Sequence, residues 1–251
     1  MATYAVSDMH GQFDTFIKGL ETIGFSDSDR LYVIGDAIDR GPDGVKLLNY
    51  IRSHDNMDLI IGNHEFMMLN SITPDGKNFS GRDLMLWLYY NGGEITKDQF
   101  EQLHDGERKE LMEWLSSRYL TKTIEVNGQK FCLTHSFFLP ECENKLYSEL
   151  RYQQVWDAVW KSKYRYDETH DYGCYDEYPD YIFITGHVPV QVAFNVGISE
   201  LKDNGLELIK EKNLINIDGG CARGARGGTG MIFLRLDDMK IICQTLVQKE
   251  T

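Results

Sequence analysis

No apolar run in the 251 residues approaches the ~18–20 needed to span a bilayer, so a transmembrane helix is not expected. The first residues run straight into a strand-like segment. No basic stretch precedes an apolar one there, and a secretory leader is not expected either. Cysteine is scarce. Five are present (Cys132, Cys142, Cys174, Cys221 and Cys243), an odd number without CxxC spacing, which argues against a disulfide framework. They read as free thiols in a reducing, cytoplasmic setting. Positive charge is the third deficit: 26 Lys and Arg against 39 Asp and Glu leave a net charge of −13. Such a surface repels a phosphate backbone and disfavours a long nucleic acid as partner. What is present suits an enzyme domain, since 42% hydrophobic residues in a chain of this length can fill one core over residues 1–251.

Three short polar motifs follow apolar runs within the first 65 residues: SDMHG (Ser7–Gly11), GDAIDRG (Gly35–Gly41) and GNHE (Gly62–Glu65). Each preceding run (TYAVS, LYVIG, LIIG) reads as a short buried strand ending at a turn. His135 closes a similar run, KFCLT, and His187 closes YIFIT. Ligand-type side chains therefore sit where strands end, the usual place for sites in open α/β sheets. Asp, Asn and Gly after a strand are common turn formers, and any one segment alone could be only a turn. Five together, with oxygen and imidazole donors and no thiolate, suit divalent manganese, iron or zinc. Divided between two ions, Asp8 and His10 would hold one and Asn63, His135 and His187 the other, with Asp36 bridging them. His54, His104 and His170 match no motif and read as surface or packing residues.

These segments resemble the phosphoprotein phosphatase superfamily of metallophosphoesterases, with motifs GDxHG, GDxxDRG, GNHE, a later HA(G) and GH. Bacterial Ser/Thr protein phosphatases and diadenosine tetraphosphatase-like enzymes are similar in length. The likeness runs from Tyr4 to about Leu236. Ser7 stands where the first motif has glycine, Ser-Phe follows His135, and Val-Pro follows His187. None of these changes removes a ligand. The resemblance implies a calcineurin-like α/β fold, in which two central mixed β-sheets form a sandwich flanked by helices. It also implies two divalent ions, manganese ahead of iron or zinc.

A bridging water or hydroxide would then attack phosphorus. Arg40 would hold phosphoryl oxygens with its planar fork. His64, charged and oriented by Asp39, would protonate the leaving group. A second phosphate-binding cation is expected between His135 and His187, where Arg151, Lys161, Lys163 and Arg165 all fall; Lys163 and Arg165 are favoured. The loop GGCARGARGGTG (Gly219–Gly230) could offer amides, Arg223 or Arg226 to an anion.

Gln12–Gly24 and Pro42–His54 read as helices, giving a strand–helix–strand–helix–strand order over residues 3–61 and a parallel sheet. Residues 64–118 read as largely helical, with Trp87, Leu103, Leu111, Trp114 and Leu115 in the core. Asn127-Gly128 signals a hairpin over residues 119–134. From Tyr181 onward a second, mostly antiparallel sheet is expected. Residues 138–181 form an insertion near the site mouth; Tyr147, Tyr152, Tyr164, Tyr166, Tyr172, Tyr175, Tyr178 and Tyr181 lie in it. Those tyrosines either flank substrate or pack on one another.

The favoured function is a Ser/Thr protein phosphatase acting on phosphorylated proteins. The alternative is a hydrolase of dinucleoside polyphosphates, a phosphate-bearing small molecule. A catalytically inactive phospho-binding module is the third reading, and the complete ligand set argues against it.

Overall fold

The computed structural model describes residues 1–73, 75, 81–162, 175–193, 206–224 and 228–247. Strand β1 (Thr3–Val6), helix α1 (Phe13–Ile23), strand β2 (Arg30–Ile34), helix α2 (Gly44–Arg52) and strand β3 (Met57–Ile60) open the chain. Helix α1 stops where Gly24 takes a left-handed conformation, φ 65°, open to glycine at little cost. Helix α2 is shorter than its sequence span because Pro42 and Asp43 stay in the turn that carries Arg40.

The three strands pair in parallel, β1 with β2 and β2 with β3. Both faces are covered, and the alternation along each strand says by what. Tyr4, Val6, Leu31 and Val33 pack under the helices, while Ala5, Tyr32 and Ile34 face the second sheet. Apart from Thr3, Arg30 and Asp58 the strand residues are apolar or aromatic, because both faces are covered.

Helix α3 (Asn63–Ser71) starts directly at the third motif. Helix α4 (Arg82–Met85), a π-helical turn (Leu86–Tyr90), α5 (Glu94–Glu101) and α6 (Asp105–Ser116) follow. Trp87, Leu111 and Leu115 are buried, and Leu103 and Trp114 partly so, as their spacing predicts. Strands β4 (Thr121–Val126) and β5 (Gln129–Thr134) form the expected hairpin. Asn127 (φ 52°) and Gly128 (φ 81°) both turn left-handed, as a two-residue hairpin turn demands.

The second sheet corrects the sequence reading. It begins at β4 and runs β4-β5-β6-β8-β7, with β6 (Tyr181–Thr185), β7 (Ile209–Glu211) and β8 (Leu214–Asn216). Its central pairs β5·β6 and β6·β8 are parallel, so it is mixed and not mostly antiparallel. The last strands, β9 (Gly230–Arg235) and β10 (Lys240–Thr245), leave it and extend the first sheet as β10-β9-β1-β2-β3. The reason is packing. In β9, Met231 and Phe233 fill the helical side, while Ile232 and Leu234 fill the space between sheets, which only a place beside β1 allows.

Within the insertion, helix α7 (Tyr152–Trp160) is described. Tyr175 is buried against Phe137 and Phe183, and Tyr147 packs on Phe66 and accepts a hydrogen bond from Asn70. Tyr178 and Tyr181 stack near Phe138 and Phe183. The described tyrosines largely pack on the protein, whereas Tyr152 is exposed and donates to Asp83. Lys163, Tyr164, Arg165, Tyr166, His170, Tyr172, Cys174 and Arg226 lie outside the described residues.

Candidate active site

The ends of β1, β2, β3, β5, β6 and β8 meet at one edge of the sandwich, and the motif residues meet with them. Pairing continues past the strands into the loops: the amides of Asp8, His10 and Gly11 donate to the carbonyls of Gly35, Asp36 and Ala37. Asp8, His10, Asp36, Asp39, Arg40 and His187 all have positive φ, between 45° and 71°. Such residues cost about 1–3 kcal/mol each and persist only where the surroundings fix them. Two glycines make room for the carboxylates so held. A Cβ on Gly62 would sit 2.3 Å from Asp36 Oδ1, and one on Gly186 2.0 Å from Asp8 Oδ2.

Asp8, His10, Asp36, Asn63, His64, His135 and His187 are all buried. Ligand atoms of His10, Asp36 and His64 lie within 4.8 Å of one another, and so do those of Asp36, His135 and His187. Asp36 belongs to both groups. Asn63 joins the second, its Oδ1 lying 2.9 Å from both His135 Nε2 and His187 Nδ1. Asp8 stands outside both triads, and its two carboxylate oxygens accept the His187 amide at 3.1 and 3.0 Å. His64, expected as an acid, lies among the potential ligands, with Nε2 3.8 Å from Asp36 Oδ2.

Backbone carbonyls set the imidazoles. His10 Nδ1 donates to Ile38 and His135 Nδ1 to Ile34, each at 3.0 Å, which turns both Nε2 lone pairs toward Asp36. His10 Nε2 is 3.8 Å and His135 Nε2 3.4 Å from Asp36 Oδ2. His64 Nδ1 donates to Asp39 Oδ2 at 2.6 Å, and His64 Nε2 is buried with no hydrogen-bond partner among the described residues. Lone pairs and carboxylate oxygens thus face one another with few donors between them. That donor set fits divalent cations: imidazole and oxygen, hard to borderline, and no sulfur.

The electrostatics point the same way. Burial, and then Asp218 close by, pushes Asp8 well above the usual carboxylate range. Burial works against the charge on Asp36 too, yet His135 and His64 outweigh it and hold Asp36 well below that range. Burial opposes a charged His135, but the Asp36 carboxylate prevails and lifts it to about 10. Burial and neighbouring His64 push His10 well below the normal imidazole value. Asp8 therefore lies under the repulsion of two further buried carboxylates, Asp218 and Asp36, while the histidine side of the site favours the Asp36 charge.

Arg40 is exposed at the rim, with Nη1 3.3 Å from His10 Nε2 and its backbone amide on the Gly92 carbonyl at 3.2 Å. Of the other basic candidates, Arg151 bonds Gln154 and Lys161 pairs with Asp157. Arg223 ends a short 3₁₀ turn, Cys221–Arg223. Buried Cys221 donates its thiol to the Gly230 carbonyl, and burial, then Asp218, pushes that thiol well above its usual value, consistent with no chemical role.

Sequence reading passed over two carboxylates. Asp218 is buried just after β8, raised to about 7 by burial against the Gly220 amide that it accepts. Its signal was available, because it closes the apolar run LINI as Asp8 and Asp36 close theirs. Glu65 accepts the amides of Asp36 (2.9 Å), Ala37 (2.8 Å) and Gly62 (3.0 Å), tying the second motif to the third. Glu65→Gln puts an amide where these donors need a carboxylate. It should cost about 2–3 kcal/mol of stability in a urea melt. An unchanged melt with full activity would remove this tie from the account.

The profile of the calcineurin-like phosphoesterase family matches residues 1–211. A symmetrical bis(5'-nucleosyl)-tetraphosphatase of Nitrosomonas europaea is 25% identical over 96% of this chain and 97% of its own length. A protein of the same name from Dechloromonas aromatica is 31% identical over 56% of this chain. There the match spans about half of the relative's length, 45%. Among solved structures, a metallophosphoesterase from Sphaerobacter thermophilus superposes with a TM-score of 0.58 at 16% identity. That likeness of fold covers 100% of this chain and 90% of the other.

Proposed function

Since the chain belongs to the calcineurin-like phosphoesterase family, we propose that it is a metal-dependent phosphoester hydrolase acting on dinucleoside polyphosphates. The observation that carries this reading is the end-to-end match to the Nitrosomonas tetraphosphatase, together with Asp36 shared by two ligand groups. It displaces the Ser/Thr protein phosphatase that the motifs alone favoured. Asp8, His10, Asp36, Asn63, His135 and His187 would hold two divalent ions, manganese before iron or zinc. Bound there, such ions supply positive charge to phosphoryl oxygens and acidify water.

The chain's own residues do the rest. Arg40, cationic at the rim, holds non-bridging oxygens of the attacked phosphate. His64 offers its Nε2 proton to the departing oxygen, while its Nδ1–H stays on Asp39. Lys163 or Arg165, between His135 and His187 in sequence, is the favoured second phosphate contact.

The test is a comparison of kcat/KM with manganese-loaded protein, using diadenosine tetraphosphate against phosphoserine and phosphotyrosine peptides. Preference for the dinucleotide, with ADP as sole product, supports the reading. Faster turnover of peptides returns the protein to the phosphoprotein phosphatases.

A further inference from the structure

Trp87 lies in the π-helical turn at Leu86–Tyr90, far from every motif in sequence, and is fully buried. Its indole Nε1–H donates to Asp39 Oδ2 at 2.8 Å. The same oxygen accepts His64 Nδ1–H at 2.6 Å. Asp39 is itself fully buried, and its other oxygen, Oδ1, has no hydrogen-bond partner among the described residues. The carboxylate is therefore held in place by the tryptophan on one side and the histidine on the other.

From these contacts we infer that Trp87 is a positioning residue: its N–H fixes the Asp39 carboxylate in the orientation that aims His64 at the leaving group. The inference rests on the proposed role of His64 as general acid. A buried indole needs an acceptor, and a backbone carbonyl would serve that need equally well. Here it meets the one oxygen through which His64 is oriented. A charge-assisted bond in a dry site resists rotation of the carboxylate more strongly than a neutral one.

The chain around Trp87 is shaped for this contact. A Cβ on Gly93 would lie 2.4 Å from the indole Nε1, so only glycine leaves the ring its place. The Gly93 amide donates to the Trp87 carbonyl at 3.0 Å. Three residues on, Thr96 Oγ1 accepts the Asp39 amide at 3.0 Å, and the Gly92 carbonyl accepts the Arg40 amide. One short segment, 87–96, thus backs both Asp39 and Arg40. Single-turn π-bulges within helices are frequent at functional sites.

The experiment measures kcat/KM on aryl phosphates of graded leaving-group pKa, in Trp87→Phe, His64→Asn and the double variant, with metal content checked in each. Trp87→Phe should lower phenyl phosphate turnover about tenfold while p-nitrophenyl phosphate stays within about twofold. In the His64→Asn background it should add nothing on either substrate, because the coupling runs through that histidine. Thr96→Val, which loosens the same segment without touching the carboxylate, should show no leaving-group dependence.

If His64→Asn itself shows no leaving-group dependence, the general-acid reading fails. If it does, but Trp87→Phe lowers both substrates equally, changes neither, or behaves like Thr96→Val, the positioning role of Trp87 is overturned and His64 stands. Should the phenylalanine variant not fold, 3-benzothienylalanine at position 87 keeps the ring volume and removes only the N–H. The same readouts then decide.

Discussion

Asp36→Asn lowers kcat/KM by more than about 100-fold and takes bound metal with it. Partners one shell removed from an ion already cost roughly 10–100-fold when lost, and Asp36 is common to both ligand groups. Its Oδ2 faces His10, His64 and His135 at 3.8, 3.8 and 3.4 Å. Its Oδ1 accepts the His64 amide at 3.0 Å. An asparagine in the same place removes the negative charge, and one of the two ligand oxygens, that both groups share. Metal content by elemental analysis and turnover of p-nitrophenyl phosphate should fall together. Full activity with both ions retained would remove Asp36 from its shared position.

His64→Asn separates substrates by their leaving groups. A general acid is worth about 10²–10⁴-fold, but only where the departing oxygen needs a proton. Turnover of phenyl phosphate should therefore collapse, while p-nitrophenyl phosphate, whose leaving group is stable as an anion, loses far less. The geometry behind this is the 2.6 Å contact from Nδ1 to Asp39, which leaves Nε2 facing the site. Because Nε2 is also within reach of Asp36, a ligand role for His64 makes a different prediction: equal loss on both substrates, with metal lost as well. Equal loss would sink the acid assignment.

The first sheet and the motif turns were legible because each strand is short, apolar and closed by a ligand residue at a turn. The helix ending at Gly24 and the hairpin at Asn127-Gly128 were legible for a local reason, since both need positive φ. The return of β9 and β10 to β1 was not, because the choice of sheet depends on which two faces Met231–Leu234 must fill, and no neighbour in sequence records it. Among site residues, the motif histidines and Asp36 lie close together, whereas Asp8 stands outside both ligand groups and His64 lies inside one. Glu65 and Trp87 act through contacts with Asp36 and Asp39, 29 and 48 residues away, which no periodicity encodes. Asp218 was visible in principle, as one more carboxylate closing an apolar run.

The central claim is that this cluster of lone pairs is built for two divalent cations that make the chain a phosphoesterase. Chelator-stripped protein titrated with manganese, with bound metal and p-nitrophenyl phosphate hydrolysis followed together, tests it most directly. The account predicts binding that ends at two ions per chain, with activity rising as the second group fills. Full activity in the stripped protein, or no metal taken up at this site, would contradict it.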